Sequence, residues 1–102
     1  MFSIVIPSLN NLDYLKLCLN SIKKNSTFKH QIIVHINIGD DGSLNFIKNS
    51  NFDYTYTDYN AGICEGMNLA AKKANSNYIL YAHDDFYFAP MWDKFLYEEV
   101  KK

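Results

Sequence analysis

Neither sign of charge prevails in this sequence. Ten basic side chains stand against eleven acidic ones, for a formal net charge of −1. That balance offers no broad field for gripping a phosphate backbone, so nucleic acid is not an expected partner. Long apolar runs are missing as well. Stretches such as residues 4–6 and 32–34 fall far short of the ~20 residues that a membrane-spanning helix needs, and no transmembrane segment is expected. The N-terminus shows no basic region leading into an apolar stretch and a small-residue cleavage site, so no signal peptide is expected either. Cysteine is scarce. Cys18 and Cys64 have no metal-like spacing, and both fall in segments that read as helices, as small core residues. A reducing cytosol is the simplest setting, and a cytoplasmic location the expectation. Two phosphate-binding devices are also absent. There is no G-x-x-x-x-G-K-[ST] loop, and no G-x-G-x-x-G follows the first apolar stretch.

What is present points to one folded domain. The chain has 102 residues, 48% of them hydrophobic and 21% charged, a composition that builds a core. Aromatic content is high at 16%, and some of those rings are expected to line a ligand groove or a subunit contact such as a homodimer's. Residues 2–6 form a β-branched apolar run closed by Pro7 and read as a buried strand. Asn10 or Asn11 is placed to cap the helix that follows, marked by Leu12, Leu15, Leu19 and Ile22. Residues 31–38 read as a second strand, ended by Gly39-Asp40-Asp41-Gly42, and residues 44–48 as a short helix. Phe52, Tyr54 and Tyr56 alternate with Asp53, Thr55 and Thr57, which predicts a strand with a wetter face near a sheet edge. Ile63, Met67, Ala70, Ala71 and Ala74 mark a third helix. Residues 78–82 read as a fourth strand, with His83-Asp84-Asp85 at its end. Pro90 suits the start of a last helix that buries Met91, Phe95 and Leu96.

This β-α alternation predicts an α/β fold, a Rossmann-like parallel sheet with helices on both faces. Such sheets bind ligands beyond the carboxyl ends of their strands, where strand order reverses. The polar residues collect there: Ser8 and Asn10 after the first strand, Asp40 and Asp41 after the second, Asp84 and Asp85 after the fourth. Bare carboxylates repel a diphosphate. A hard divalent cation, Mn²⁺ or Mg²⁺, reverses that sign and takes oxygen ligands from one or two carboxylates, phosphate and water.

Four motifs carry a resemblance. Ser3-Ile4-Val5-Ile6-Pro7-Ser8-Leu9-Asn10 resembles the opening strand of family 2 glycosyltransferases of the GT-A fold. Asp40-Asp41-Gly42-Ser43 matches their D-D-G-S turn. Asn60-Ala61-Gly62, with Asn68 eight residues on, matches their N-x-G-x-x-x-x-x-N stretch. Residues 78–85 resemble their fourth strand and its acidic metal motif. The resemblance covers nearly the whole chain and implies the nucleotide-sugar-binding half of an inverting, metal-dependent transferase. It implies a donor that is a UDP-sugar and an acceptor hydroxyl on an unspecified glycan, lipid or protein. By resemblance, Pro7, Ser8 and Asn10 line the base pocket, Asp40 accepts a hydrogen bond from the base, and Asp41 and Gly42 shape the turn. Asn60 and Gly62 cover base and ribose, Asp84 contacts ribose or sugar, and Asp85 binds the metal. Met67 stands where the family often has Arg, and the acidic motif reads His-Asp-Asp. No residue matches the family's general base, which belongs to a second half absent from this sequence.

Blander readings compete. Asp84 and Asp85 suit a solvated loop capping the last helix, and Asp40 to Ser43 an ordinary turn. Asn60 and Gly62 suit a cap and a tight helix start. His83 is a metal ligand, a proton donor or a hydrogen-bonded histidine. Phe86, Tyr87, Phe88 and Trp92 read as core or interface ahead of a sugar platform. Two further functions fit the architecture: a non-catalytic nucleotide-sugar-binding module, and another acidic α/β domain such as a phosphotransfer receiver or a nucleotidyltransferase. A receiver's phosphate acceptor would fall at Asp58, but the paired acids follow the second and fourth strands, which suits it poorly. A nucleotidyltransferase would carry a Gly-rich basic loop where Pro7-Ser8-Leu9-Asn10 stands.

Overall fold

The computed structural model describes all 102 residues. Four strands alternate with four helices: β1 (Phe2–Leu9), α1 (Leu12–Asn25), β2 (Gln31–Asn37), α2 (Ser43–Lys48), β3 (Asp53–Thr57), α3 (Gly62–Ala71), β4 (Tyr78–Tyr81) and α4 (Trp92–Val100). Every strand pair is parallel and the sheet order is β3-β2-β1-β4. The chain steps outward from β1 to β3, then crosses back to lay β4 on the other side of β1. Right-handed crossovers put helices on opposite faces when the direction reverses, which is the expected Rossmann-like arrangement.

Side-chain alternation along β1 divides the core between those faces. Phe2, Ile4 and Ile6 join Leu15, Cys18, Leu19 and Ile22 of α1 and Ile47 of α2 in the larger cluster. Val5 points the other way, to Ile33 and to Ala70 of α3. Ile4 and Ile6 are fully buried, each contributing roughly 1.5–3 kcal/mol through the area withdrawn from water. The α3 face is thin. Gly66 lets the helix lie against the ring of His35, where a Cβ would sit 2.7 Å from Cδ2.

Several expectations need correction. Pro7 does not close β1, which runs on to Leu9. Val5 accepts the Ala82 N–H at 3.0 Å, so alternate residues of β1 turn their backbone groups toward β4. Pro7 is the next of them, and β4 has ended by that point. Its missing N–H therefore costs no ladder bond. Met91 and Phe95 are not buried by α4. They are 49% and 58% exposed, while Asp93 is fully buried. The inward face of α4 is set by this carboxylate, which accepts the N–H of Thr27 at 2.9 Å and of Phe28 at 2.7 Å and meets His30 Nε2 at 2.7 Å. His30 Nδ1 accepts the N–H of Phe2 at 3.1 Å, so the proton shared with Asp93 is on Nε2. Cys64 is exposed, unlike the buried Cys18. β3 is an edge strand as expected, but its wetter face is not the threonine face near the rim. Tyr56 is 44% exposed and Thr57 is buried, because Thr55 and Thr57 bond the ring of His35. Ile63, at the start of α3, is also exposed.

Candidate functional site at the switch point of the sheet

The carboxyl ends of β1, β2 and β4 and the start of α3 surround a cleft of about 320 Å³. It opens beside β1, where strand order reverses, the place such sheets offer to ligands. Pro7, Ser8 and Leu9 form its β1 wall, with Asn11 beyond them, and His83 and Asp84 form its β4 wall. Asn37 closes the β2 side, and Asn60, Gly62 and Ile63 the α3 side.

Hydrogen bonds fix these walls to one another. Ser8 Oγ donates to Asp84 Oδ2 at 2.8 Å and so ties β1 to β4 across the reversal. Asn37 is 3% exposed. Its Oδ1 accepts the N–H of Ala61 at 2.9 Å, and its Nδ2 faces the Ser8 carbonyl at 3.4 Å. Asn60 Oδ1 accepts the Gly62 N–H at 3.0 Å, so this asparagine does form the local turn that starts α3. Gly62 has φ +76°, a conformation that favours glycine.

The Asp-Asp-Gly-Ser turn lies on the same rim but outside the cleft's lining. Asp40 and Asp41 are exposed. Asp41 accepts the Leu12 N–H at 3.0 Å and the Ser43 N–H and hydroxyl at 3.0 and 2.6 Å. What burial it has pushes its carboxyl upward, but the bonds from Ser43 and Leu12 outweigh that and hold it below the usual range. Asp41 therefore supplies the cap of α1. Asn11 occupies the cap position without a side-chain bond, and Asn10 is held at φ +45° in the turn before it. Sequence reasoning puts the cap on these neighbours because a carboxylate 29 residues away leaves no local signal.

His83 lines the cleft and packs edge-on against Tyr81 and Phe86. Its Nδ1 lies 3.4 Å from the Tyr81 hydroxyl. Burial, with Cys64 and Asp84 nearby, raises the Tyr81 pKa and keeps its phenol protonated. Beneath this loop, Cys18 Sγ donates to the His83 carbonyl at 3.7 Å. Burial, reinforced by Asp84 and Asp85, pushes this thiol up to about 12, so it is an inert neutral group. Of the aromatic cluster, Phe88 is in the core while Phe86 and Tyr87 are exposed.

Sequence reasoning missed Asn37, a polar residue that ends an apolar strand at the ligand-binding rim. His35 is fully buried and bonded at both ring nitrogens, to Thr55 at 2.7 Å and Thr57 at 3.2 Å. Burial holds its pKa below the ordinary histidine value.

A larger hollow, about 680 Å³, lies at the opposite rim among residues such as Lys23, Lys29, His30 and Gln31. The His30 ring and the Gln31 amide that face it are already bonded within the protein. The smaller cleft has the chemistry.

All ten basic side chains are lysines, and none lines the cleft. No group of three or more His, Cys, Asp or Glu side chains converges into a metal cage. The donors available are Asp85, which is exposed, and Asp84, whose Oδ1 is free of the Ser8 bond. One or two hard carboxylates fit Mg²⁺ or Mn²⁺, which complete their shells with phosphate and water. No helix is long and apolar enough to cross a membrane.

Sheet order, crossover faces and a cleft at the reversal define a Rossmann-like α/β domain with a switch-point site. The model of Glycosyl transferase family 2 matches residues 3–102, and the chain belongs to that family. Its fold is similar to the crystal structure of S. aureus TarS, with a TM-score of 0.84 at 22% identity over 98% of this chain and 19% of that one. A crystal structure of S. aureus TarS 1-349 gives a TM-score of 0.79 at 20% identity over 97% of this chain and 31% of its own. The crystal structure of TarS 1-349 in complex with UDP gives 0.85 at 22% identity, over 98% of this chain and 32% of its own. The chain thus spans between about a fifth and a third of these structures. No curated protein matches the sequence.

Proposed function

We propose that this chain binds a nucleoside-diphosphate sugar, a UDP-sugar, in the switch-point cleft. The sugar passes with inversion to an acceptor hydroxyl. The observation that carries this reading is the cleft itself, walled by Ser8, Asn37, Asn60 and Asp84 at the reversal of strand order and lined by no lysine. The UDP complex of a structural neighbour with the same fold supports the choice of nucleotide.

Pro7 and Ser8 give the base a flat, buried floor, and the Asn60–Gly62 turn covers base and ribose from the α3 side. Asp84 offers a free carboxylate oxygen to a ribose or sugar hydroxyl. Asp85, in solvent beside it, holds Mn²⁺ or Mg²⁺ with help from Asp84. The ion when bound supplies positive charge for the departing diphosphate. The chain's lysines lie elsewhere, so no lysine in the cleft offsets the phosphates. Asp40 and Asp41, with Gly42, add acidity to the outer rim, and Asn10 lies at the turn between β1 and α1. No carboxylate on the rim is assigned as the base that deprotonates the acceptor. The second reading is a nucleotide-sugar-binding module without turnover.

Calorimetry with UDP and Mn²⁺ tests the proposal. Binding is expected to fall at least about tenfold, a difference of ~1.4 kcal/mol, when the ion is chelated or in Asp85→Ala with the fold intact by circular dichroism. UDP affinity indifferent to chelator would sink the metal. A donor-hydrolysis assay then separates enzyme from module.

A further inference from the structure

We propose that Asn37 selects the base, donating a side-chain N–H to the carbonyl at position 4 of a uracil ring. The inference rests on the nucleotide reading above and names the group that makes it specific.

Asn37 ends β2, is 3% exposed and lines the cleft. Its amide orientation is dictated by chemistry. The Ala61 N–H, 2.9 Å away, can only donate, so the atom facing it is the oxygen. The nitrogen then faces the Ser8 carbonyl at 3.4 Å, near the outer limit of a hydrogen bond. One amide hydrogen is weakly engaged and the other has no protein partner. A donor held by one long bond has capacity to spare, so a ligand that brings an acceptor to this point gains by it.

The choice of acceptor follows from the cleft's layout. The sugar diphosphate belongs at the mouth with Asp84 and Asp85. The edge that reaches the buried end of β2 is then the one farthest from the glycosidic nitrogen. Uracil has a carbonyl there and cytosine an amino group. A donor in the wall accepts the first and opposes the second. Asp40, which could read a base only by accepting, is exposed and outside the cleft's lining.

The test is the ratio of UDP to CDP affinity by calorimetry with Mn²⁺ present. The unsubstituted chain is expected to prefer UDP by about tenfold or more, the worth of one well-placed hydrogen bond. Asn37→Asp keeps the oxygen that receives the Ala61 N–H and exchanges the donor for an acceptor; the charge it adds weakens both nucleotides alike and leaves their ratio as the readout. It is expected to bring the ratio to about one or to invert it. A folded Asn37→Asp chain that keeps the original ratio overturns the inference. If that variant does not fold, binding of 4-thio-UDP to the unsubstituted chain decides the matter. Weaker binding than UDP by several-fold supports the proposal, and equal binding overturns it. No affinity for UDP or CDP in the unsubstituted chain would instead remove the nucleotide reading, and this inference with it.

Discussion

Asp93 is a charge sealed from water and held by three donors, the N–H groups of Thr27 and Phe28 and the ring of His30. Burial alone would raise its pKa. The N–H groups of Phe28 and Thr27, then His30, outweigh that and leave it at about 2. The folded value is depressed below the unfolded one, so the stabilisation is fully present above the unfolded carboxylate pKa, about 3.9. It is lost as pH falls through the folded value. Between pH 4 and pH 2, Asp93→Asn is expected to abolish about 2 kcal/mol of pH-dependent stability, read from urea midpoints across that window. Gly66 makes an opposite case. Alanine would favour the helix by about 1 kcal/mol, but its Cβ would press on the ring of His35, which both threonines hold in place. Overpacking at such a site costs about 1–3 kcal/mol. Gly66→Ala is therefore expected to lower the denaturation midpoint despite its better propensity.

At the level of elements, the cap of α1 comes from the turn after β2. Asp41→Ala removes the acceptor of the Leu12 N–H and of both Ser43 donors. A loss of about 1 kcal/mol in stability is expected, measurable by chemical denaturation. Element types and order are legible in the sequence, since periodicity and turn residues are local. The ends and faces are less so. Pro7 reads as a strand end because its missing N–H matters only when a neighbour stands opposite, and sheet order decides that. Met91 and Phe95 read as core on hydrophobicity alone. A buried carboxylate with three partners from the α1–β2 connection orients α4 instead. The rim is legible as a line of polar residues at strand ends. Its division into a cleft and an outer turn is not, since Asn37 has no motif around it and the Asp-Asp-Gly-Ser motif lies beyond the end of β2.

For the molecule as a whole, the sheet is open along β4, an edge strand with Tyr78 40% and Ile79 54% exposed. Phe86, Met91 and Phe95 add apolar surface in the segment that follows. Unpaired edges of this kind template association between copies. The isolated chain is expected to self-associate with rising concentration, and Ile79→Lys to suppress this, as followed by light scattering. At the other end of the scale of contacts, the single bond between Ser8 and Asp84 acts as a strut over the gap where the chain doubles back. It keeps the aperture shaped before anything arrives. A ligand that approaches Asp84 meets the oxygen that the serine leaves free, so the strut stays in place while the carboxylate is used. The carboxylate is thereby presented in one orientation, and discrimination among ligands falls to groups deeper in the fold.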